Sequence, residues 1–147
     1  MTNHYCLVLK KVMKYSNLMM MLITAVLCSS CSQGPRPLEV TVHQDYLCAF
    51  TNSSKTSYGI DNTFLIHLGK IDYTTEFSST YEKLYTNTPL PIEEKNCVRI
   101  PINEIEKNVA YEVILETNKS FHASICLLDK NNHLYVRYVD PGESMCD

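Results

Sequence analysis

The residues of this 147-residue chain best equipped for chemistry are seven cysteines, five histidines and a few closely spaced acids. Cys28-Ser29-Ser30-Cys31 has the spacing of a redox dithiol, but that chemistry needs a strand before the pair and a helix start beneath it to lower a thiol pKa. No strand pattern precedes it. Cys48, Cys97, Cys126 and Cys146 stand singly, as do His43, His67, His122 and His133, so none has a near neighbour at zinc-ligand spacing. Glu93-Glu94 and Glu104-x-Glu106 pair carboxylates along one segment, whereas acid–base hydrolysis needs them facing each other across a substrate. The glycines, Gly34, Gly59, Gly69 and Gly142, cannot build a phosphate-cradling loop, and neither a G-x-S-x-G elbow nor an H-E-x-x-H helix occurs. No catalytic activity, metal or cofactor is expected; the histidines read as surface or structural residues and the paired acids as a solvated face.

The N-terminal cysteines belong to an address. Lys10, Lys11 and Lys14 precede ten largely apolar residues, 18–27, where a bilayer span needs roughly 20. A basic flank, a short apolar core and then small residues form the order of a secretory signal peptide, here residues 1–30. Met13 offers a second start, followed directly by a compact signal. Ser29-Ser30-Cys31 resembles a bacterial lipobox, in which the cysteine after the cut is acylated; the usual large aliphatic residue is displaced by one place, to Leu27. Cys31 is the expected lipid anchor, because Cys28 has bulky Leu27 where a small residue is wanted. Residues 31–37 contain Pro35 and Pro37 and read as a lipidated tether. Residues 38–147 remain as one domain.

Removing Cys6 and Cys28 with the signal and assigning Cys31 to lipid leaves Cys48, Cys97, Cys126 and Cys146. Four cysteines in an exported domain point to two disulfides, with three pairings open. Cys48 with Cys97, joining two central strands, and Cys126 with Cys146, fastening the C-terminal tail to a late strand, are favoured.

The elements that carry these residues read as strands. Hydrophobic residues make up 45% and charged residues 20%, the balance of a packed domain. The signal region holds three lysines and no acid, which leaves ten basic and 16 acidic residues beyond it, a net −6 that argues against nucleic-acid binding. Period-two alternation marks strands at 38–43, 46–50, 63–68 with Phe64, Ile66 and Leu68 facing inward and Gly69 as the end, and 97–102. Further strands are expected at 111–117, 121–128 and 134–139, the last two joined by a hairpin turn at Asp129-Lys130-Asn131-Asn132. Residues 72–96 are the least regular, with a helical turn expected at 81–85. Short strands at this spacing without a long amphipathic helix predict an all-β fold, a small antiparallel immunoglobulin-like β-sandwich. Tyr111, after the turn at Ile105, has the placement of a tyrosine corner, whose hydroxyl bonds backbone a few residues upstream.

Charge is uneven along this domain. Residues 72–106 hold seven acids and three bases, interleaved with Tyr73, Phe77, Tyr81, Leu84 and Tyr85. Aromatic anchors beside carboxylates make a protein-binding surface, since rings supply desolvated contact and charge steers a basic partner. Tyr73, Tyr81, Glu82, Tyr85, Glu93 and Glu94 are the expected partner-binding residues.

Val40-Thr41-Val42-His43 closely followed by Cys48, then Cys97-Val98-Arg99-Ile100-Pro101, Tyr111-Glu112-Val113 and a small all-β ending, resemble the type VI secretion immunity periplasmic lipoproteins. The resemblance runs from the signal to the last strand; Cys126 and Cys146 are extra to the family's pattern. It implies a protein held by its lipid in the outer membrane, facing the periplasm, that binds and neutralises a secreted antibacterial toxin. Ser32 after the anchor cysteine, where an Asp commonly retains such lipoproteins in the inner membrane, implies the outer-membrane address by analogy. The alternative is a structural lipoprotein of an envelope secretion or pilus machine.

Overall fold

A computed structural model describes residues 35–140 and 142–146. The expected signal peptide and the Cys31 anchor lie outside these residues. Among the described residues, nine strands form two sheets: β1 Arg36–Pro37, β2 Glu39–Val42, β3 Tyr46–Phe50, β4 Thr63–Lys70, β5 Tyr81–Thr86, β6 Val98–Pro101, β7 Ala110–Glu116, β8 Ser120–Lys130 and β9 His133–Tyr138. The larger sheet runs β8-β7-β4-β5, all antiparallel, and the smaller runs β2-β3-β6. Two strands share the outer edge of β8: β9 along Ile125–Lys130, and β1, parallel, against Phe121 and His122. Three short 3-10 turns, Ile60–Asn62, Glu94–Asn96 and Ile102–Glu104, complete the elements.

The strands form where apolar side chains recur every second residue, and those residues face one shared core. Val40, Leu47, Ala49, Val98 and Ile100 of the small sheet meet Phe64, Ile66, Leu68, Val113, Leu115, Phe121, Ala123, Ile125 and Leu127 of the large one, all buried. A second, smaller cluster lies on the other face of the large sheet, where Ala110, Cys126 and Val139 are covered by Ile71, Leu128 and Cys146. Both favoured disulfides are present. Cys48–Cys97 spans 5.3 Å between α-carbons, and Cys126–Cys146, at 5.8 Å, holds the tail over that second cluster.

Three local expectations change. Residues 81–85 are strand, not a helical turn, because Tyr81 and Tyr85 both face the core from β5, opposite Leu68 and Phe64 in register. Gly69 does not end β4: pairing continues to Lys70, and a side chain at Gly69 would come within 2.6 Å of the Phe77 ring and the Ser78 carbonyl, so glycine makes room for the loop folding back on the strand. Arg36 and Pro37 are part of the large sheet rather than a free tether, with the Leu38 N–H donating to the His122 carbonyl at 2.9 Å.

The scarcity of glycine is compensated by asparagine. Every non-glycine residue described at positive φ is Asn or Asp, namely Asn52, Asp61, Asn62, Asn87, Asn108, Asn131 and Asn132. Their short polar side chains tolerate the left-handed region that most residues avoid. Asn131 and Asn132, at φ 55° and 62°, form the two-residue turn of the β8–β9 hairpin, the type whose twist matches its strands. Tyr111 is buried and its hydroxyl accepts a hydrogen bond from the Glu106 N–H at 3.1 Å, five residues upstream.

Candidate functional site

The outward face of the large sheet carries the most concentrated set of interacting side chains. Cross-strand register sets Glu82 of β5 beside His67 of β4, His67 beside Ile114 of β7, and Ile114 beside His122 of β8. The adjacent row sets Leu84 beside Leu65 and Leu65 beside Glu116. His67 stands between two carboxylates, its Nδ1 3.3 Å from Glu82 and its Nε2 3.8 Å from Glu116, while His122 Nδ1 lies 2.8 Å from Glu112. Leu84 is 61% exposed, whereas Leu65 and Ile114 are half-buried. The result is a surface on which Leu84, Leu65 and Ile114 are interleaved with three carboxylates and two imidazoles. Such a surface offers a partner apolar contact together with attraction for basic groups.

One end of this face is covered. The chain from Ile71 onward folds back so that Phe77 lies over Gly69, and Lys70, Ile71, Asp72, Tyr73, Thr75, Phe77 and Glu112 line an open cavity of about 220 Å³. Asp72 is held below the usual carboxylate range by hydrogen bonds from the Thr74 hydroxyl and N–H. The Tyr73 hydroxyl accepts from the Gly142 N–H at 3.1 Å, which ties this loop to the tail fastened by Cys146.

The residues expected to bind a partner do not share one surface. Glu82 is on the open outward face. Tyr81 and Tyr85 project from the opposite side of β5 against the core, with Tyr85 stacked on Phe64 at 4.9 Å, and burial raises both phenols above their ordinary pKa. Tyr73 is 62% exposed and braces the tail. Glu93 pairs with Lys95 at 2.6 Å, and Glu94 lies beside the small sheet, accepting from the Thr41 hydroxyl at 3.0 Å. Sequence reasoning did not single out Leu65, His67, Ile114, Glu112, Glu116 and His122 together. Their signal was the placement of Leu65 and Ile114 at positions that alternation assigns outward, where an apolar residue has no core to fill.

A second cluster lies on the outward face of the small sheet. His43, Cys48 and Glu94 bring one ligand atom each to within 4.8 Å of one another, with His43 Nε2 3.4 Å from Glu94 Oε1. The Cys48 sulfur is committed to Cys97. Among the described residues, the buried side-chain donors left without a hydrogen-bond partner are Nε and Nη2 of Arg137 on β9, and no described residue explains them.

Comparison with family models, with curated proteins and with solved structures finds no match for this chain.

Proposed function

We propose that this chain is a lipid-anchored, periplasm-facing immunity protein, not an enzyme, that neutralises a secreted antibacterial toxin by covering it. The observation that carries the reading is the outward sheet face on which Leu84, Leu65 and Ile114 alternate with Glu82, Glu112 and Glu116. A rigid sheet face holds these side chains without loop ordering on association, so a complementary toxin surface with basic and apolar groups can dock at low entropic cost. The three carboxylates favour fast encounter with a basic partner. The two disulfides suit an oxidising compartment, where a domain of this size gains from cross-links.

We read the two sheets as an immunoglobulin-like sandwich. What supports this is the strand order: β8-β7-β4-β5 over β2-β3-β6 matches a G-F-C-C′ sheet over an A-B-E sheet. Tyr111 near the start of β7, in the F position, makes the backward hydroxyl contact of a tyrosine corner. The cross-link differs, since Cys97 directly precedes β6, so the bridge stays with the small sheet instead of joining the sheets.

The test is protection. Export of this chain in a susceptible strain should restore its survival during contact with a toxin-delivering kin strain, and Leu84→Glu should abolish the rescue while the protein still accumulates. Survival unchanged by the chain, or full rescue by both Leu84→Glu and Glu82→Lys, would overturn the reading.

A further inference from the structure

The cluster on the small sheet pairs a disulfide with two further metal-ligating groups. His43 follows β2, Cys48 lies in β3, Glu94 opens the 3-10 turn before β6, and Cys97 ends that turn. Three separate segments thus deliver one imidazole, one carboxylate and two sulfurs to a single place. Cys48 lies on the same side of the small sheet as its register partner Thr41, away from the core-facing Leu47 and Ala49, and is buried there beneath the exposed His43 and Glu94. Thr41 donates to Glu94 Oε1 at 3.0 Å, and the His43 ring stacks on Tyr46 at 4.7 Å, so both outer groups are already oriented.

We propose that the Cys48–Cys97 disulfide is the oxidised form of a zinc site, which on reduction holds one Zn2+ through the Cys48 and Cys97 thiolates, His43 Nε2 and Glu94 Oε1. Two sulfurs, one nitrogen and one oxygen are a donor set that Zn2+ accepts in tetrahedral geometry. Bond lengths of about 2.0–2.3 Å place such ligands roughly 3.5 Å apart. The His43, Cys48 and Glu94 ligand atoms, all within 4.8 Å of one another, therefore have to draw in by about 1 Å while the two sulfurs, freed from their bond, separate to about 3.5 Å; the side chains of His43 and Glu94, 39% and 54% exposed, have room to follow.

The chemistry balances with an external dithiol as reductant. Its two electrons and two protons cleave the S–S bond to two cysteine thiols while the dithiol becomes a disulfide; Zn2+ binding then releases both thiol protons to solvent and leaves the metal's oxidation state unchanged. While oxidised, the sulfurs are not thiolates and the cluster is closed to zinc.

The experiment uses the purified full-length protein with Cys6, Cys28 and Cys31 replaced by Ser, so that the four domain cysteines alone remain, oxidised or reduced with a phosphine, and probes it with Zn2+ alone. The expected result is one Zn2+ bound by the reduced form and none by the oxidised form, with a zinc-dependent rise in Tm of the reduced protein. Zn2+ should protect Cys48 and Cys97, but not Cys126 and Cys146, from alkylation mapped by mass spectrometry. His43→Ala and Glu94→Gln, both exposed and outside the disulfide, should weaken binding by more than the roughly ten-fold lost with an outer-layer partner. Equal protection of all four cysteines, zinc affinity unchanged in both variants, or a reduced chain that stays unfolded with Zn2+ present would overturn the proposal.

Discussion

The Tyr138 hydroxyl accepts a hydrogen bond from the Val40 N–H at 2.8 Å across 98 residues of sequence. It joins β9, on the large sheet, to the edge of β2 on the small one, and it satisfies a backbone donor of a buried residue. Tyr138→Phe removes only that oxygen. The expected loss is about 1–3 kcal/mol, because the buried Val40 N–H is left without a partner, read as a lower midpoint in urea with an unchanged slope; an unaltered midpoint would show that the contact contributes nothing.

Alkaline pH should destabilise the domain. Burial raises the phenols of Tyr81, Tyr85 and Tyr138 above the ordinary 10.0. The unfolded chain then releases its phenolic protons first, so the stabilisation is complete below the unfolded value and is lost as pH rises through the folded values. A melting series from about pH 8 to pH 12 should be flat up to about 10 and fall beyond it. A decline complete below pH 9 would contradict this assignment.

Gly69→Ala should cost about 1–3 kcal/mol, the range for forcing an extra carbon into a filled space. The added carbon meets both the Phe77 ring and the Ser78 carbonyl at 2.6 Å, and the carbonyl belongs to backbone that cannot simply swing aside. Phe77→Ala should relieve part of the penalty, so the double variant checks the contact: strict additivity would disprove it.

On β5, neighbouring residues should separate binding from stability. Leu84→Ala leaves the core untouched and should shift stability by no more than about 0.5 kcal/mol, while weakening binding of the proposed toxin partner. Tyr85→Ala, which strips the ring stacked on Phe64, should cost about 2 kcal/mol or more. Tm and affinity measured on the same two proteins decide it, and the reverse pattern would return the binding role to the tyrosines.

The two disulfides should differ in worth. Cys48–Cys97 closes a separation of 49 residues and Cys126–Cys146 one of 20, for which chain entropy gives about 4 and about 3 kcal/mol. Paired Cys→Ser variants compared by urea unfolding test the order; a larger loss from the tail bridge would mean that its covering of Ala110 and Val139 outweighs loop length.

Much of this architecture was legible because the inward residues of β2, β3, β4, β7 and β8 are apolar and their neighbours mostly are not. The favoured cysteine pairing followed from where those strands fell. Tyr81 and Tyr85 were not legible, since a spacing of four fits one turn of helix and two pleats of strand equally well, and only the pairing with β4 decides between them. β1 had no pattern to read: two residues, one of them proline, cannot alternate. The acidic and aromatic stretch was legible as composition but not as a surface, for a related reason. Counting charge along the chain ignores that Glu82 and its neighbours Tyr81 and Lys83 point to opposite sides of the sheet, so residues close in sequence were assigned to a surface they do not share.

The large sheet ends at β5 on one side and at β9 and β1 on the other. An exposed strand edge is a template on which another chain can pair. β9 covers β8 only from Ile125 to Lys130, and β1 fills the stretch at Phe121 and His122 that β9 does not reach. There β1 sets Pro37, which has no backbone N–H to offer a further strand, so Arg36 and Pro37 blunt that part of the edge against pairing with a neighbour.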